Sequence, residues 1–181
     1  MSNSRETIVF GGGCFWCIEA VFQMLQGVES VTSGYAAGEK ENPNYQQIST
    51  GTSGHAEVVQ VEYDPAILSL ENLYAVFFTA HDPTTRDRQG DDVGPQYRSV
   101  IYYTTPEQKT AAENYMEKLT DEKVYASRIV TELEPLQKFY SAEDYHQNYY
   151  NNNKDYNPYC QVVIDPKIAK IRASFAHLLK K

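Results

Sequence analysis

The chain has 181 residues and a mass of 20.6 kDa, a length that predicts one domain over residues 1–181, able to hold a core without metals or disulfides. Hydrophobic residues make up 41% and charged residues 22%, which excludes a disordered chain. The net charge of −8 argues against nucleic-acid and anionic-membrane partners, since both need clustered Lys and Arg.

No apolar run approaches the ~20 residues of a membrane span. The polar residues 1–7 run straight into Ile8-Val9-Phe10. That leaves no room for a signal peptide and predicts a cytoplasmic protein. Three cysteines, two of them three residues apart, form no disulfide framework. In a reducing compartment they point to catalysis, redox exchange or metal binding.

In chain order, residues 7–10 predict a short central strand, broken by Gly11-Gly12-Gly13. Phe15, Ile18, Phe22 and Leu25 then follow at helical spacing, with Gly27 as the stop. Residues 28–33 predict a second strand, and residues 34–54 a long ordered loop with one turn at 45–48. Residues 57–63 alternate, with Glu57, Val59, Val61 and Tyr63 on one face. Leu70, Leu73, Val76, Phe77 and Ala80 mark a helix capped by Ser69. A second polar loop covers 82–96 and a strand 98–103. Thr105-Pro106-Glu107-Gln108 opens a helix that runs to Leu119. Residues 129–133 predict a strand, 141–150 a short helix, 151–158 an Asn-rich loop, 161–164 a strand and 168–179 a closing helix. Strands and helices that interleave irregularly predict an α+β fold. It is a two-layer mixed β-sheet with packed helices, a ferredoxin-like core, and long ordered loops.

Strand, glycines and helix place the Cys14 thiol at a helix N-terminus. Free N–H groups and the macrodipole there favour an anion, so the thiol pKa is expected to fall. Cys17, one turn further on, reads equally well as a buried core thiol. The glycine run is no phosphate cradle, because no Lys-Ser/Thr follows it. Trp16, the chain's only Trp, lies off the apolar stripe, beside a reactive thiol. Glu57, at the end of an apolar strand face, is expected to be partly desolvated and to keep its proton near neutral pH. A slip of one residue would turn it outward.

Four segments in order, Gly13-Cys14-Phe15-Trp16-Cys17, Gly34-Tyr35-Ala36-Ala37-Gly38, Gly54-His55-Ala56-Glu57-Val58 and Gln96-Tyr97-Arg98-Ser99, resemble the A-type peptide-methionine sulfoxide reductases. The resemblance spans Ile8 to at least Cys160. It implies reduction of methionine S-sulfoxide, in proteins and possibly in free form, for protein repair under oxidative stress. Cys14 would be the nucleophile and pass through a sulfenic acid. Phe15 and Trp16 would form the methyl recess, and Glu57 would supply the proton. The hydroxyls of Tyr45 and Tyr97 would hold the sulfoxide oxygen. Asp92, with Asp91 as the neighbouring alternative, would bind the substrate main chain. His55 reads as a structural hydrogen-bonder rather than a base, and His81 and His146 have no evident partner.

The resemblance makes Cys160 the resolving cysteine, with Cys17 as the competitor; Cys160 is favoured because Cys17 belongs on the inner side of its helix. No cofactor is expected to be bound. The implied reductant is thioredoxin, or dithiothreitol in vitro, and the partners are oxidised proteins or peptides, met by a monomer. Three other readings stay open. A thioredoxin-like disulfide oxidoreductase suits Cys-x-x-Cys at a helix start. A zinc module would use Cys14, Cys17, Cys160 and a His. A peptide-binding module with aromatic loops would show no thiol chemistry.

Overall fold

A computed structural model describes residues 4–181. Six strands form one mixed sheet: β1 (Glu6–Gly11), β2 (Val28–Ala36), β3 (Ala56–Tyr63), β6 (Val100–Tyr103), β7 (Glu132–Pro135) and β8 (Phe139–Ser141). The order is β7-β6-β1-β3-β2-β8. Only the β6–β7 pair is parallel. Two short strands, β4 (Arg88–Gln89) and β5 (Asp92–Val93), make a separate hairpin. The α+β class expected from the sequence is the one observed.

Strand order and chain length together dictate the sheet's shape. β7 and β8 lie at opposite edges, yet only residues 136–138 separate them. Flat, the two edges would be about 24 Å apart, whereas four Cα steps reach about 14 Å. The sheet therefore curls until its edges approach. The inside of the curl carries mostly small side chains, namely Val9, Ala36, Ala56, Val58, Val100 and Tyr102, with Leu136 of the crossing segment and Phe139 of β8 packed on them.

The outer face carries the main core. Ile8, Phe10, Tyr35, Val59, Val61, Tyr63 and Ile101 pack against α1 (Phe15–Gln23), α3 (Leu70–Ala80) and α4 (Pro106–Asp121), and α6 (Asp165–Ser174) adds Ile171. Phe10 is the centre of this layer. Its ring stacks on Phe22 at 4.9 Å and on Phe77 at 4.6 Å, and meets Tyr74 edge-on at 6.1 Å. The helix starts follow the expected chemistry. Ser69 Oγ accepts from Asn72 N–H at 3.1 Å, and Thr105 Oγ1 accepts from Gln108 N–H at 3.2 Å, ahead of Pro106.

Several elements depart from the sequence reading. β2 runs three residues into the expected loop, because Tyr35 and Ala36 pair with Glu57 and Ala56. The helix expected at 141–150 is instead the end of β8, a 3₁₀ turn at Asp144–His146 and the start of α5 (Tyr149–Asn153). The strand expected at 161–164 is a π-helical turn, Cys160–Ile164, that runs directly into α6. α1 stops at Gln23, and Gly27 turns the chain four residues later. The 45–48 turn is α2 (Tyr45–Ser49), closed by a reciprocal Asn44–Gln47 capping box. Among the described residues no helix is long and apolar enough to cross a membrane.

Truncating the central ring tests this packing. Phe10→Ala should lower unfolding free energy by ~3–5 kcal/mol, read as an earlier urea midpoint at unchanged m-value. A loss below ~1 kcal/mol would place the core elsewhere.

Candidate active site

The C-terminal end of β1, the N-terminal end of β3 and the C-terminal end of β2 lie at one end of the curled sheet, since β3 is antiparallel to both neighbours. Cys14 leaves β1 there as the N-cap of α1. The turn before it needs Gly13, which has φ +96° and whose Cβ would come within 2.8 Å of Gln89. A second motif pair explains itself in the same way. A Cβ on Gly38 would overlap the His55 imidazole. His55 Nδ1 accepts from Gly38 N–H at 3.0 Å, so Nε2–H donates to the Lys40 carbonyl at 2.8 Å. His55 is thus a buried staple of the 37–40 loop, the structural role expected.

Glu57 is a carboxyl almost fully removed from water. Its side chain is 2% exposed. Oε1 accepts the backbone N–H of Phe15 at 3.2 Å, the first N–H of α1 and the one next to Cys14. Burial pushes the Glu57 carboxyl up to about 8, against the Phe15 hydrogen bond, with Asp92 and Cys17 adding to the rise. The expectation of a carboxyl protonated near neutral pH agrees with this environment.

The expected fall in the Cys14 pKa does not agree. Cys14 is half-buried, and its thiol is held well above the ordinary value. Desolvation leads, followed by Cys17 and Glu57, while the Trp16 backbone N–H pulls only weakly the other way. The helix terminus does favour an anion, but the Glu57 carboxyl already takes the Phe15 N–H. A negative charge on sulfur in so dry a site is unfavourable, and more so once Glu57 has itself ionised. The resting site therefore holds its protons.

Tyr45 and Tyr97, from α2 and the 3₁₀ turn Pro95–Tyr97, come to the same place. Both hydroxyls are pushed up, first by burial and then by the charge of Glu57, with Cys14 adding to each. They remain neutral donors at physiological pH. Trp16 is half-buried, with its ring stacked on Tyr149 at 3.7 Å. Phe15 is 1% exposed, against Tyr35 at 5.7 Å and His146 at 5.0 Å. Phe15 is thus enclosed, while Trp16, its neighbour, stays partly accessible. Asp92 Oδ2 accepts from Tyr159 Oη–H at 2.9 Å, and that hydroxyl also lies 3.7 Å from Cys17 Sγ.

All three cysteines are free. Cys14 and Cys17 share a crevice of about 360 Å³ with Asp92, Tyr159 and Lys167. Cys160 is fully buried beneath it, in an apolar cluster with Cys17, Ala20, Ile164 and Ile168. Larger hollows beside Arg98 and Lys138, about 480 Å³, and between α3 and α6, about 770 Å³, contain no thiol. His81 is a core residue. It is bonded to Phe77 O and Ser99 Oγ, and burial lowers its pKa to about 4. Among the described residues no group of three or more His, Cys, Asp or Glu could hold a metal.

Sequence reasoning missed the strip from 143 to 159. Glu143 accepts Tyr35 Oη–H at 2.9 Å and Tyr45 N–H at 3.0 Å, tying two site tyrosines to one carboxylate. His146 Nδ1 accepts Trp16 Nε1–H at 3.0 Å, so Nε2 carries the proton. That Nε2 is buried with no partner, with the Tyr45 ring 4.5 Å from the imidazole. The only signal in the sequence was the density of aromatics in Tyr145-His146-Gln147-Asn148-Tyr149-Tyr150.

Comparison with known proteins assigns the family. The profile of the peptide methionine sulfoxide reductase family matches residues 6–179. The chain belongs to that family. A relative from Chromobacterium violaceum, peptide methionine sulfoxide reductase MsrA, is 51% identical over 97% of this chain and 99% of its own length. The crystal structure of reduced Mxr1 from Saccharomyces cerevisiae superposes with a TM-score of 0.77 at 32% identity, covering 84% of this chain and 88% of that one. Mxr1 in complex with Trx2 superposes with a TM-score of 0.56 at 25% identity, covering 82% and 89%. As a family member the chain is an oxidoreductase that reduces methionine sulfoxide in a thiol-dependent reaction.

The Glu57 environment has a measurable cost. Between pH 4.5 and 8 the unfolded chain ionises Glu57 while the folded chain keeps the proton, so stability falls as pH rises through that window. Glu57→Gln removes the effect. Its unfolding free energy should gain on the wild type across that range by a few kcal/mol. A constant difference from pH 5 to 8 would mean that Glu57 is solvated.

Proposed function

We propose that Cys14 attacks the sulfoxide sulfur while Glu57 hands its proton to the departing oxygen, and that this site acts on the S epimer. The observation that carries the proposal is the dry Glu57 carboxyl, bonded to the first N–H of the helix that Cys14 caps. Overall, Cys14–SH and the sulfoxide become Cys14–SOH and methionine, with the oxygen passing to the cysteine sulfur. The neutral Tyr45 and Tyr97 hydroxyls donate to the sulfoxide oxygen before the proton arrives. Trp16, backed by Phe15, receives the methyl group. Asp92 binds the substrate main chain once Tyr159 leaves it.

The sulfenic acid is then recycled through an intramolecular disulfide in which Cys160 takes part, and thioredoxin reopens it. The relative's complex with Trx2 supports this choice of reductant. Oxidised methionine in proteins and peptides is the substrate class, and free methionine sulfoxide fits the same recess. A monomer working in the cytoplasm in repair after oxidative stress is the setting we infer. Three free thiols in one chain suit a reducing compartment.

Cys14→Ser should abolish reduction with the fold intact, because a hydroxyl is a far poorer nucleophile towards sulfur. Glu57→Gln should slow the chemical step by ~10²–10⁴-fold. The wild-type rate should decline as pH rises through about 8, and the variant should lack that limb. Assays with each epimer of a methionine sulfoxide peptide plus dithiothreitol check all three. Turnover in Cys14→Ser, an unchanged alkaline limb in Glu57→Gln, or preference for the R epimer would each refute the corresponding part.

Cys160→Ser should still release one methionine per molecule, turn over with dithiothreitol and stall with thioredoxin. Full thioredoxin-linked turnover in that variant would remove Cys160 from the cycle.

A further inference from the structure

The proposed cycle leaves one nucleophile and one cation without a task. Cys17 shares the crevice with Cys14, and Lys167, Asp91 and Asp92 line it as well. The helix that includes the Cys160–Ile164 π-turn and α6 presents two ridges. Cys160, Ile164 and Ile168 pack into the apolar cluster around Cys17. Tyr159, Val163 and Lys167, one turn apart, line the crevice itself. Lys167 Nζ donates to the Ala80 carbonyl at 3.2 Å. Among the described residues it forms no ion pair. In a chain of net charge −8, a half-buried ammonium with no carboxylate at ion-pair distance among the described residues, fixed at a crevice holding two sulfurs, is placed to meet negative charge on sulfur.

We infer that Lys167 is a positioning residue of the recycling half-reaction: it stabilises negative charge on Cys17 Sγ, so that Cys17 makes the first attack on the Cys14 sulfenic acid. The inference rests on Cys14 as the oxidised cysteine. In this step the Cys17 sulfur bonds to the Cys14 sulfur, the Cys14 S–O bond breaks, and hydroxide leaves with the proton from Cys17 as water. Cys14–SOH and Cys17–SH thus become the Cys14–Cys17 disulfide and H₂O, with no external reductant. Cys160, packed against Cys17, can then displace Cys14 and carry the disulfide to the reductant.

The groups facing Cys17 sort by sign. The Cys14 thiol, the Lys167 ammonium and the Tyr159 hydroxyl favour its thiolate, and burial and Asp92 oppose it. Asp91, which also lines the crevice, Glu57 and Cys160 are the other titratable neighbours. The balance lies below the ordinary thiol value for Cys17 and above it for Cys14 and Cys160. Of the three thiols, Cys17 is the one whose surroundings favour the attacking form.

The test is a rapid-quench single turnover of the full chain with a methionine S-sulfoxide peptide and no reductant, from pH 5.5 to 9. Methionine release, dimedone-reactive Cys14 and mapped disulfides are followed in wild type, Lys167→Met and Lys167→Arg. In the wild type, the first disulfide to appear should be Cys14–Cys17. In Lys167→Met, closure should slow about tenfold relative to methionine release at pH 7, with its pH midpoint displaced upward by about one unit. Sulfenic acid should accumulate, and Lys167→Arg should restore both values. Absence of the methionine burst in wild type would overturn the reading of Cys14, and this inference with it. A normal burst followed by Cys14–Cys160 as the first disulfide would overturn this inference alone. So would closure in Lys167→Met with an unmoved pH midpoint.

Discussion

A carboxyl group almost out of reach of water sits where β3 begins, and a hydrogen bond from the Phe15 N–H ties it to the start of α1. Much of the site's behaviour follows from keeping that group dry. Burial raises its affinity for a proton, and the proton is what a departing sulfoxide oxygen needs. The same dryness works against ionising Cys14 next door, which is why a thiol at a helix N-terminus remains protonated here. The proposed nucleophile and acid are therefore not independent parts. In the proposed reaction a protonated Glu57 spares the Cys14 thiolate a like charge beside it, and the carboxylate appears only as the Cys14 sulfur gives its electrons to the sulfoxide.

The curled sheet makes this confinement possible. Because β7 and β8 are joined by residues 136–138 alone, the sheet rolls, and small side chains fill the inside of the roll. The bulky apolar face is left for α1, α3 and α4, and Glu57 lies on that same face, at its end. Loops from three parts of the chain then close over it. α2 brings Tyr45, the turn Pro95–Tyr97 brings Tyr97, and Glu143 pins Tyr35 and Tyr45 from the C-terminal side.

Local patterns made much of this legible in the sequence. Alternation put Glu57 with Val59, Val61 and Tyr63, and the register of β3 agrees. Cap chemistry located α3 and α4 within one or two residues. Misreadings gathered where partners are distant. β8 is three residues long, and its pairing with β2 links positions more than 100 residues apart. The Trp16–His146 bond spans 130 positions. At residues 161–164 an apolar run of strand length forms a π-helical turn, because Cys160 and Ile164 are both drawn against Cys17. The Cys14 pKa was misjudged for a related reason. The helix terminus is a local feature, but the burial and the carboxyl that outweigh it come from other parts of the chain.

The direct measurement of the central claim is a titration of the Glu57 carboxyl itself by difference infrared spectroscopy, with Glu57→Gln used to assign the band. The account predicts a protonated-carboxyl band present at pH 6, still dominant at pH 7 and titrating at about 8. A Glu57 band that is already carboxylate at pH 6, with a midpoint in the ordinary range near 4.5, would contradict the account at its root.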